Sequence, residues 1–128
     1  MKKHVVAVLL AGVSCASLAS WVRVAEDSEA VGYYDPATVE RTLHVVTLWE
    51  LSDFKRVATT ASDHMFRSAR RQMQYDCVGG RGRVISQLPF EDQMGEGRAL
   101  DAQRIDGDWE AVDPASARGA VLGQVCSN

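Results

Sequence analysis

Between Leu43 and Leu51 the chain alternates strictly: Leu43, Val45, Thr47, Trp49 and Leu51 fall on one side of an extended backbone, and His44, Val46, Leu48 and Glu50 on the other. A period of two sends successive side chains to opposite faces of a strand, so this stretch reads as β, and the first set is the expected core face. Met65, Ala69, Met73, Tyr75 and Cys77 keep the same period, so residues 63–77 read as a long strand even though their Ala and Arg content would also suit a helix. Gly79-Gly80 then supplies the backbone freedom of a tight reversal, and residues 83–88 return as the partner strand. Upstream, Trp21 to Val24 and Val31 to Tyr34 flank the charged turn of residues 26–29 as a hairpin, which Asp35-Pro36 ends because proline cannot donate to the ladder. Downstream, turns at residues 95–97 and 106–108 bracket an extended run from Ala99 to Ile105.

The last element is helical. Asp113-Pro114 places a capping carboxylate before a proline at the first helical position, and Val121, Leu122 and Val125 then share a face. Gly119 and Gly123 each cost this helix up to about 1 kcal/mol relative to alanine, so it needs tertiary support. The expected fold class is α+β: one domain, mainly an antiparallel sheet of about six strands, with a C-terminal α-helix packed on it.

Residues 1–19 have the features of a secretory signal peptide: Lys2, Lys3 and His4, an apolar run from Val5, and small residues Ser17 and Ala19 before the cut. The run falls short of the roughly 20 apolar residues of a membrane span. An alternative retains an acylated Cys15, but Gly12 stands where a lipobox wants a branched apolar residue, so free export to the periplasm or cell surface is the expectation. Cleavage leaves residues 20–128 as a single domain. It removes two lysines and moves the formal charge from -3 to -5, which argues against general nucleic-acid binding. Cys77 and Cys126 remain, and two cysteines in an oxidising compartment most simply form one disulfide. In the chain-entropy model, closing that loop stabilises by about 4 kcal/mol.

Catalytic and metal readings are weak. Ser62-Asp63-His64 contains the residue types of a hydrolase triad, but triad members converge from separate segments, and a solvated approach to the strand is the plainer reading. His44 and His64 have no ligand-like spacing, so neither a metal nor a cofactor is expected. Asp35, Glu50, Asp53 and Asp76 could pair for acid–base chemistry only if folding brought them together, and nothing in their spacing requires it. Trp21, Trp49 and Trp109 are expected to supply core bulk. Arg67, Arg70, Arg71, Arg81 and Arg83 gather basic charge on one hairpin of an acidic chain, either as a solvated, edge-protecting face or as a docking patch for acidic partners such as sulfated glycans.

Trp21-Val22, Tyr34-Asp35-Pro36 with Thr38, Trp49-Glu50-Leu51 with Asp53, Tyr75-Asp76-Cys77, Gly95, Trp109 with Val112 and Pro114, and the closing Val125-Cys126 together resemble the surface-adhesin protein E family. The likeness runs in order through nearly all of residues 20–128. It implies an antiparallel sheet with a C-terminal helix packed on it. It also implies a non-enzymatic surface module, since the founding adhesin binds host extracellular-matrix proteins. No ligand-contacting stretch can be matched, so the resemblance assigns no binding residues. The expected partner is therefore an extracellular macromolecule. The alternative is a periplasmic structural or envelope-assembly protein that contacts other envelope proteins, including a homodimer through a sheet edge.

Overall fold

The two period-two segments form the longest strands, β4 (Val45–Thr59) and β5 (Met65–Asp76), paired antiparallel from Val45↔Asp76 to Thr59↔Met65. The computed structural model describes residues 20–127; the signal peptide expected at residues 1–19 and the alternative acylation at Cys15 lie outside the described residues. Around the central pair are β1 (Val22–Glu26), β2 (Ala30–Tyr34), β3 (Glu40–Thr42), β6 (Arg81–Phe90), β7 (Gln103–Arg104) and β8 (Glu110–Ala111). The main order is β1-β2-β4-β5-β6-β7, with β3 added on β4 and β8 on β6, and every pairing is antiparallel. The expected strands at residues 21–24, 31–34 and 83–88 are all present. The extended run at 99–105 pairs over only two residues plus a bridge at Ala99, and β3 and β8 take the count to eight.

The helix, α1 (Ala117–Cys126), covers one face of the sheet. Tyr34, Val46, Leu48, Met73, Tyr75, Val121 and Val125 form the core there. The expected core face of β4 is therefore inverted: Val46 and Leu48 lie under the helix, while Leu43 is 93% exposed in a turn at φ 56°. Val45, Thr47 and Trp49 are half-buried on the other face, and only Leu51 of that set is fully buried. Both faces of this strand are apolar; its period separates the two sets, but the helix decides which one becomes the core.

The helix also starts later than Asp113-Pro114 suggests. Asp113 accepts from Ala115 N through Oδ1 and from Ser116 N through its carbonyl, making a turn. Ser116 is the cap, its hydroxyl accepting from Gly119 N at 3.0 Å. That turn folds back so closely that a Cβ on Gly119 would stand 2.3 Å from the Asp113 carbonyl oxygen. At its far end α1 is tied down twice. Cys126 is bonded to Cys77, and Arg41 donates to the carbonyl of Val125, one of the acceptors a helix end leaves unsatisfied.

Cys77 opens the turn between β5 and β6. Asp76 Oδ1 accepts from Val78 N and Gly79 N, Oδ2 accepts from Arg81, and Gly80 takes the left-handed conformation at φ +63°. These bonds hold the Asp76 carboxyl below its usual range, the Gly79 amide contributing most and Arg81 next. The Gly-Gly pair thus makes a hairpin turn, with Gly80 alone at positive φ.

Candidate binding face

The sheet face away from α1 carries the aromatic residues expected in the core. Trp21, Trp49 and Trp109 are all half-buried and outside the core cluster. Trp49 sits opposite Leu48 in the alternation of β4. An indole carries a polar N–H and a face that attracts cations, so a sheet surface partly open to water suits it.

The five arginines divide between the faces. Arg70 alternates with Arg71 along β5, and Arg71 shares the helix side with Met73 and Tyr75, as does Arg67 by the same alternation. Arg81 and Arg83 pair with Asp76 and Gln74, so they share the face of Arg70. At one end of this face the guanidinium carbons of Arg81 and Arg83 lie 5.6 and 4.8 Å from the Trp109 ring centroid. Arg83 Nε donates to Gln74, and Gln74 Nε2 to Thr47 Oγ1, giving a ladder of polar side chains across β4, β5 and β6.

At the other end Trp21, Asp35, Thr38, Trp49, Arg70 and Leu88 line a pocket of about 190 Å³. Asp35 Oδ1 caps the short 3-10 turn Pro36–Thr38 by accepting from Ala37 N at 3.0 Å. Thr38 Oγ1 donates to the Asp35 carbonyl and accepts from Trp49 N, so the wall is locked by its own hydrogen bonds. The Arg70 guanidinium carbon lies 5.6 and 5.1 Å from the ring centroids of Trp21 and Phe90. Its Nε is buried without a hydrogen-bond partner. Behind it, Gly95 N donates to Ser68 Oγ and Met94 N to Asp53 Oδ1, pinning the loop around Gln93–Gly95 against the arginine. Four residues that carry the family resemblance, Trp21, Asp35, Thr38 and Trp49, meet in this one pocket. Their separation in sequence hid that convergence; the only local signal was the Asp-Pro-x-Thr pattern of a capped turn.

The candidate carboxylates have separate tasks: Asp35 caps a turn, Asp53 anchors Met94, Asp76 holds the hairpin, and Glu50 lies half-buried on the helix side. Tyr75 donates its hydroxyl to Glu50, and burial raises the Glu50 carboxyl to about 7 despite that bond and the nearby cations Arg118 and Arg71. Burial likewise pushes the Tyr75 hydroxyl up and the Arg71 guanidinium down. Arg71 donates to Gln87 and Ser52, and with Glu50 and Arg118 it lines a 340 Å³ hollow beside the start of α1. Sequence reading missed this half-buried group, because the Glu50–Tyr75 contact depends on the register of β4 against β5.

Ser62, Asp63 and His64 occupy an exposed turn, and His44 is exposed near the opposite end of the sheet. Arg67 is exposed beside that turn, in a shallow hollow shared with His64 and Glu91. Among the described residues no group of three or more His, Cys, Asp and Glu side chains is arranged to hold a metal, and no helix is long and apolar enough to cross a membrane.

Residues 21–127 match the sequence pattern of the family described as Surface-adhesin protein E. The fold is similar to that of Haemophilus influenzae protein E. One solved structure of that protein superposes with a TM-score of 0.67 at 12% identity, covering 84% of each chain. A second crystal form gives 0.69 at 12% identity, over 84% of this chain and 87% of that one. At such identity the likeness is one of fold. No curated protein sequence matches the chain.

Proposed function

Because the chain belongs to the surface-adhesin protein E family, we propose that it is an exported, non-enzymatic binding module of a bacterial envelope that engages extracellular macromolecules through the sheet face opposite α1. The observation that carries this reading is the placement of Trp21, Trp49 and Trp109 on that face, two of them stacked with Arg70, Arg81 or Arg83, while the core is built from smaller apolar residues and tyrosines. Half-buried tryptophan and arginine are among the residue types that dominate binding energy at interfaces. Of the basic cluster, Arg70, Arg81 and Arg83 belong to this face, and Arg67 and Arg71 do not.

The Cys77–Cys126 bond supports export, since such bonds persist in oxidising compartments. Display is tested by protease shaving of intact cells. Loss of the protein from the surface is the expected result; a protein untouched until the cells are broken points to a periplasmic assembly role instead. Binding is tested on immobilised extracellular-matrix proteins with oxidised protein comprising residues 20–128. Saturable binding is expected, and none at any matrix protein contradicts the adhesin reading.

A further inference from the structure

We propose that the pocket around Arg70 receives a carboxylate carried on a short apolar stem, as in a glutamate side chain of a partner polypeptide; this rests on the binding-module reading above and names the chemistry of one subsite. Arg70 takes part in none of the ion pairs of the described residues. Its Nε is buried without an acceptor, and the guanidinium is in cation–π range of both Trp21 and Phe90. A planar cation so fixed has its fork already oriented, which lowers the entropic cost of engaging a carboxylate, the partner whose geometry matches the fork.

The rest of the lining selects among anions. Trp21, Trp49 and Leu88 give apolar walls against which a two- or three-carbon stem packs. Asp35 also stands on the wall, 6% exposed and held by its own cap, so the pocket already carries a carboxylate of its own. A dianion such as a phosphate monoester meets more repulsion from Asp35 than a monovalent carboxylate does. The pocket volume of about 190 Å³ is that of a single side chain, not of a sugar chain. Sulfated polymers therefore fit the Trp109, Arg81 and Arg83 end of the face better than this one.

The test is an NMR titration of oxidised protein, residues 20–128, observing the three indole N–H signals. The probes are two capped dipeptides, N-acetyl-Leu-Glu-amide and N-acetyl-Leu-Gln-amide, and a heparin-derived hexasaccharide. The Glu peptide is expected to shift the Trp21 and Trp49 signals saturably, with at least about tenfold weaker binding of the Gln peptide, because a charge-assisted bond is replaced by a neutral one. Arg70→Ala and Arg70→Gln should remove the Glu preference, and Arg56→Ala, on an exposed stretch of β4, should keep it. Equal binding of the two peptides by the unmodified protein, or no shift at Trp21 and Trp49, overturns the proposal without needing any variant to fold. Hexasaccharide shifts confined to Trp109 are expected; saturable hexasaccharide shifts at Trp21 and Trp49 that the Glu peptide does not produce overturn the proposal while leaving the binding-module reading intact. Failure of the oxidised protein to bind any matrix protein removes that reading independently of the peptide result.

Discussion

Gly119 and Gly123 are both glycines inside one ten-residue helix, and propensity alone assigns them the same cost; the structure predicts that replacing them with alanine has opposite effects. At Gly123 an added Cβ meets nothing within 4 Å, so Gly123→Ala should stabilise the fold by about 0.8 kcal/mol through helix propensity. At Gly119 the same methyl would stand 2.3 Å from the Asp113 carbonyl oxygen, 2.6 Å from that of Pro114 and 2.7 Å from the Pro114 carbonyl carbon. These are backbone atoms of the turn that caps α1, so no flexible side chain can give way. Relief requires moving the turn off the helix, with loss of the Ser116–Gly119 cap. Overpacking of this kind costs about 2 kcal/mol, more than cancelling the propensity gain. With a urea slope of about 2 kcal/mol per molar, the midpoint of oxidised Gly119→Ala should fall by about 0.6 M and that of Gly123→Ala should rise by about 0.4 M. The assay is equilibrium urea unfolding followed by tryptophan fluorescence, with the slope checked for constancy. A Gly119→Ala protein as stable as Gly123→Ala would refute the close packing of residues 113–116 on the helix.

Reduction of Cys77–Cys126, or the Cys126→Ser change, should lower stability by about 4 kcal/mol, with amide exchange in α1 accelerating more than in β4 and β5. Thiol labelling of the denatured, unreduced mature protein should find no free cysteine. The Glu50 carboxyl has an ordinary value of 4.5 and is raised to about 7 in the folded chain, so between those values the folded state keeps a proton that the unfolded state has released. Its contribution to stability is therefore full below about pH 4.5 and falls as the pH rises to 7, by up to about 3 kcal/mol. Glu50→Gln retains an acceptor for Tyr75 without titrating: its stability relative to the parent should rise across that window and be flat below it, and a difference independent of pH would contradict the burial of a charged group.

The period-two segments made β4, β5 and their hairpin legible, because alternation is a property of the strand itself. The two cysteines left after the expected cleavage made the disulfide legible by counting. The choice of face was not legible: Val46 and Leu48 alternate with Thr47 and Trp49 on a strand apolar on both sides, and only the docking of Val121 and Val125 settles it. The tryptophans were misplaced for the same reason, since bulk suggests a core but does not say which layer an indole joins. Asp113-Pro114 was a real turn signal, displaced by three residues because Ser116 is the better-placed cap. The pocket at Arg70 joins residues from the start of β1, the turn after β2, and strands β4, β5 and β6, a convergence that no local pattern encodes.

The assignment of binding to the sheet face opposite α1 is tested most directly by placing one glutamate on each side of the molecule. Arg83→Glu alters the cation nearest Trp109, and Gln124→Glu places the same charge on an exposed position of α1. Binding of each oxidised, correctly folded variant to immobilised extracellular-matrix proteins is measured by surface plasmon resonance. Arg83→Glu should weaken binding by at least about tenfold, as for loss of an interfacial arginine, and Gln124→Glu should leave it unchanged. Unchanged binding by Arg83→Glu, with loss in Gln124→Glu, would place the interface on the helix side and contradict the assignment.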